Sequence, residues 1–132
     1  MMRKLLAILL GWALAFGLIA LIEAAGHKVY PPPPDFDFTK PADVARYVQL
    51  MPLGAFGFVL AAWAVGTFCG ALLACRIAGE NPLMFASIIG AAVLAATAMN
   101  LLTIPHPTWF SITGVVLIMA AAFLAARISS GE

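Results

Sequence analysis

Four runs of roughly 20 apolar residues, almost free of charge, constrain this chain more than any other feature, because that is the length a helix needs to cross a bilayer. They extend from about Leu5 to Ala25, Pro52 to Cys75, Leu83 to Ile104 and Thr108 to Ala126. Of the 132 residues, 64% are hydrophobic and 10% charged. That is too little charge to cover a water-facing surface, which excludes a soluble enzyme. The net charge of +1 excludes a nucleic-acid binder that works by electrostatic attraction. The expected fold is all-α. It is one four-helix membrane domain of two antiparallel hairpins, spanning residues 1–132, with a long proline-rich outer loop over 26–51.

The first run begins after Met1-Met2-Arg3-Lys4, which resembles the start of a signal peptide. Its apolar stretch exceeds the 7–15 residues of a typical signal core, and Glu23 disfavours cleavage beside it. It is therefore read as a span. Arg3, Lys4, Arg76 and Arg127 fall on one side of a four-span arrangement. Lys28, Lys40 and Arg46 fall on the other, diluted by Asp35, Asp37 and Asp43. Positive residues favour the cytoplasm, and those leading the first span weigh most. Both termini are expected there, in a bacterial inner (cytoplasmic) membrane. Arg76, Arg127 and Trp109 then act as interface anchors.

The outer loop contains Pro31-Pro32-Pro33-Pro34, a stiff extended rod, followed by Asp35-Phe36-Asp37-Phe38. Pro41 to Val48 reads as a short interfacial helix with Thr39 as its cap. Val44, Tyr47 and Val48 form its apolar face. Cys69 and Cys75 lie six residues apart on one helix, about 120° around and roughly 9 Å along its axis. They cannot bridge each other there. Ala71 to Glu80 and Ala122 to Glu132 resemble each other, which suits an ancient duplication of a helical hairpin.

Apolar lipid gives helices no hydrophobic reason to associate, so close packing must do it. Ala62, Gly66, Gly70 and Ala74, each four residues apart, form a smooth stripe on the second span. That stripe is expected to pack inside the monomer, with a dimer face as the alternative.

Polar groups in a span are costly and mark candidate sites. Glu23 is the one carboxylate within a span, and His27 follows one turn later on the same face if Gly26 does not end the helix. Asn100 and His106 reach the same outer leaflet by topology. Three roles compete for Glu23, His27, Asn100 and His106. They are a structural polar tie, a proton- or cation-handling site centred on Glu23, or a metal site. For the last, Glu23, His27 and His106 would bind a transition metal such as zinc, copper or iron. No nucleophile elbow, phosphate loop, HExxH or CxxC motif occurs.

Four spans in so short a chain, with Glu23 in the first, resemble the small multidrug-resistance transporters. That family uses a membrane-embedded glutamate of its first helix. Glu23 lies near the end of its span, and the long proline-rich loop departs from that compact pattern, so no residue role is carried over. The expected function is a non-enzymatic accessory or structural component of a membrane complex, with no catalytic residue and no bound organic cofactor assigned. A small oligomeric transporter or channel using Glu23 is the alternative, and a metal-binding membrane protein the third. The expected partners are the lipid bilayer, other membrane subunits or further copies of the chain.

Overall fold

A computed structural model describes residues 1–37 and 39–130 of the chain. Phe38, and the Gly131-Glu132 end of the repeated segment, lie outside the described residues. Five helices follow in order: α1 (Met2–Val29), α2 (Pro41–Leu50), α3 (Leu53–Ala78), α4 (Pro82–Thr103) and α5 (Thr108–Ser129). No strand occurs among the described residues. Four of the helices are long and apolar enough to cross a membrane. At 1.5 Å per residue, α4 and α5 (22 residues each) are about 33 Å long, close to the hydrocarbon thickness of a bilayer. Their outward faces carry residues such as Leu83, Met99 and Leu102 of α4 and Ile112, Val116, Met119 and Phe123 of α5, all more than half exposed. Water would not tolerate so continuous an apolar surface, whereas lipid matches it. These are the properties of an integral membrane protein.

Helix α3 is the hub, packing against α1, α4 and α5, while α4 also packs on α5 and α1. Small residues make the central contact. A Cβ built on Gly70 would lie 2.5 Å from the Gly11 carbonyl oxygen and 2.6 Å from Ala15 Cβ. One on Gly66 would lie 2.7 Å from the Ala15 carbonyl oxygen. Ala62 and Ala74, at the ends of the stripe, are fully buried. The stripe is thus the face on which α1 rests. Gly11 meets Gly70 and Ala74, and Gly26 meets Phe58, so α1 and α3 run antiparallel.

Two local expectations are corrected. Gly26 does not end α1, which continues to Val29. A Cβ at this position would sit 2.8 Å from Phe58 Cβ, so this glycine serves close approach and not termination. Thr39 does not cap α2. Lys40 occupies the cap position, and the Thr39 N–H and hydroxyl both donate to Asp37 Oδ1, at 2.9 and 2.6 Å. Those two bonds hold the Asp37 carboxyl below its ordinary range. They also satisfy locally the threonine that would otherwise face the helix.

At one end, the Arg3 side chain donates to the Ile77 carbonyl oxygen, and Lys4 pairs with Glu80 at 3.5 Å. These contacts fix the start of α1 to the α3–α4 turn. Gly79 in that turn has φ +72°, a left-handed conformation that favours glycine. Arg76 and Arg127 lie in the last turns of α3 and α5 and are exposed. The Arg127 guanidinium sits 5.8 Å from the centroid of the Phe123 ring. Trp109, at the opposite end, is partly exposed with an edge contact to Phe56. Cys69 and Cys75 are free thiols on α3.

The glycine seam gives a direct test. Gly70→Ala should lower the thermal unfolding temperature in detergent, because overpacking costs about 1–3 kcal/mol. Gly57→Ala faces open space and should not lower it. Thermal melts followed by circular dichroism would separate the two variants.

Candidate functional site

The candidate site grows from the way α1 and α4 lie on α3. Near Gly11 the three helices close up. A Cβ there would approach Ala74 Cβ and Gly70 O at 2.8 Å, and Ile89 Cδ1 at 3.1 Å. Further along, toward the end that carries α2, α1 and α4 leave a cavity of about 170 Å³. Phe16, Ile19 and Glu23 of α1 form one wall, and Val93, Ala96, Thr97 and Asn100 of α4 the other. Trp63 of α3 forms its floor.

Glu23 is half-buried in this wall. Its carboxylate accepts a hydrogen bond from the Trp63 side chain, and the His27 imidazole is its electrostatic neighbour. Trp63 is only 3% exposed, so its indole N–H needs a buried acceptor, and Glu23 supplies one. Asn100 lines the same cavity, with its Oδ1 buried and lacking a hydrogen-bond partner. Thr97, three residues before Asn100, is 4% exposed and shares its face.

A second, smaller void of about 20 Å³ adjoins Glu23 on the α2 side. Glu23, Gly26, His27, Tyr47, Met51 and Phe58 are among its lining residues. The Tyr47 ring meets the His27 ring edge-on, with centroids 6.4 Å apart, and packs on Phe36 at 5.0 Å. Its hydroxyl donates to the Tyr30 carbonyl oxygen at 3.4 Å. Burial raises the Tyr47 phenol above its ordinary value, so it stays neutral at physiological pH. In this way α2 covers the end of α1 through one aromatic side chain.

Glu23 therefore lines two cavities, one shared with His27 and the other with Asn100. His106 lines neither. Its ring stacks on Phe110 at 5.1 Å and 11°, and Nδ1 donates to the Ile104 carbonyl oxygen at 2.7 Å. Glu23, His27 and His106 are thus not assembled as three ligands. Among the described residues, no group of three or more His, Cys, Asp or Glu is placed to hold a metal ion. Trp63, Thr97 and Tyr47 belong to the site but were not singled out for it from the sequence. A signal for Trp63 was present: a tryptophan well inside a span, away from the interfacial belt, needs a buried acceptor.

Burial lowers the His106 imidazole below its ordinary value of 6.5, and the bond to Ile104 opposes that shift. The unfolded chain then binds the proton more readily than the folded one. The stabilising effect of neutral His106 is complete above pH 6.5 and is lost as pH falls through the folded value. Thermal melts below pH 6.5 should show this loss, and His106→Asn should flatten that part of the pH profile.

Compared with known proteins, the chain matches no family model, and neither a curated protein nor a solved structure matches it.

Proposed function

We propose that this chain is a non-enzymatic component of a bacterial cytoplasmic membrane whose working group is the Glu23 carboxylate, which takes up and releases a proton. The single observation behind this reading is the position of Glu23. It lies between two voids, bonded to Trp63, in a wall that also holds the unpartnered Asn100 Oδ1. An intramembrane carboxylate is costly, which favours a working role for it over a purely structural tie.

The glycine seam favours an accessory component over a conduit. The larger cavity stops where α1, α3 and α4 close at Gly11, so the seam offers no water path onward through one copy. In this arrangement the two helical hairpins have both termini in the cytoplasm, and Glu23 faces the outer leaflet. Arg76, Arg127 and Trp109 anchor the interfaces. Partners are other membrane subunits or further copies of the chain. The second reading, a small oligomeric transporter, draws on the same carboxylate and places its path between protomers.

Infrared difference spectroscopy of the purified protein across pH tests the assignment. A protonated carboxyl band that titrates in the wild type should be missing in Glu23→Gln. A spectrum identical in the two proteins at every pH would sink the proposal. In reconstituted vesicles, the chain alone should show no proton flux that depends on Glu23, whereas flux abolished by Glu23→Gln would select the transporter.

A further inference from the structure

The two voids at Glu23 differ in a way that assigns separate jobs to them. The larger one is walled by Asn100 and Thr97 of α4 and by Trp63 of α3. The smaller one lies under α2 and is shared with His27, which is itself exposed at the surface. At about 20 Å³, this void has room for one water molecule. Such a water needs two to four polar partners. Glu23, His27 and Tyr47 are the residues with polar side-chain groups among those that line the void.

We propose that His27 is the proton-entry residue for Glu23. On this geometry a proton from bulk water binds the exposed imidazole. The imidazolium gives a proton to a water in the small void, and that water gives one to a Glu23 carboxylate oxygen. His27 and the water end as they began, so the net change is one proton moved from solvent to Glu23. Histidine suits the role because its imidazole can both accept and donate a proton. Tyr47 covers the void from α2 and shields the water from exchange through the loop.

Among the described residues, Glu23 and His27 are the acidic and basic side chains that line these two voids. On α1 the next charged residue is Lys28, which lines neither void. Helix α2 contributes the neutral Tyr47, α3 contributes Trp63 and Phe58, and α4 contributes Asn100 and Thr97. Among the described residues, no other Asp, Glu, Lys, Arg or His lines either void. The proposal rests on the reading of Glu23 as a titrating group, so the test must distinguish failure of that reading from failure of the path.

Trp63 provides the reporter, since its N–H bonds the carboxylate. In the full chain carrying Trp12→Phe and Trp109→Phe, the remaining tryptophan fluorescence follows protonation of Glu23 after a rapid drop in pH. His27→Ala should slow that signal about ten-fold or more. Added imidazole should restore the rate in the variant. His27→Gln, which keeps a polar side chain, should be slow as well, and circular dichroism confirms that each variant is folded. An unchanged rate in a folded His27→Ala variant, with Glu23 still titrating, would overturn the entry path and leave the role of Glu23 intact. A Trp63 signal that does not respond to pH, even in the presence of His27, would overturn both together.

Discussion

The close approach of α1 to α3 is the constraint on which the rest of the structure depends. In lipid there is no gain from hiding one apolar surface against another, so two helices stay together only where their backbones pack closely. Gly11, Gly66 and Gly70 permit that approach, with space too small even for a Cβ at any of them. Gly26 extends the same contact by admitting Phe58. The seam also sets the register between the helices. It brings Glu23 of α1 level with Trp63 of α3, although 39 residues, including the whole of the proline-rich loop, lie between them in sequence.

That register explains why a carboxylate is tolerated in this position. A buried indole N–H and a buried carboxylate are each expensive alone, and here one satisfies the other. Asn100 is treated differently. Helix α4 touches α1 near Gly11 and Ile89 and then leaves room, so the Asn100 side chain reaches a cavity wall and its Oδ1 stays unpaired. The wall is thus hydrogen-bonded at Glu23 and open at Asn100.

Much of the architecture was legible because lipid simplifies the rules. Span lengths follow from bilayer thickness, and the helix starts at Pro82 and Thr108 follow from the prolines before or at them. The small-residue stripe was visible as a four-residue repeat. Gly26 was misleading because glycine has two uses in helices, as a terminator and as a site of close approach. Only the partner Phe58 decides between them, and it comes from another helix. Thr39 was misleading for a similar reason: its hydroxyl had a competing acceptor two residues away at Asp37. The candidate site was legible in part. Spacing on one helix joins Glu23 to His27, since four residues make about one turn. Nothing in the sequence places Trp63 beside Glu23, because that contact depends on the register between two helices.

His106 shows how a topological argument can be correct about an end of the bundle and still not join two residues. The α4–α5 turn does lie at the same end as Glu23. Pro105 and Pro107 restrict the backbone on both sides of His106, and the ring is held by Phe110 and by the Ile104 carbonyl oxygen. A histidine whose ring is stacked and whose Nδ1 is bonded locally has little freedom to swing toward another helix. His27 differs because it sits on the same helix as Glu23, so their spacing is preserved by the helix itself. The polar chemistry at this end therefore divides in two. One histidine is held in a turn, and the other lines a void together with Glu23.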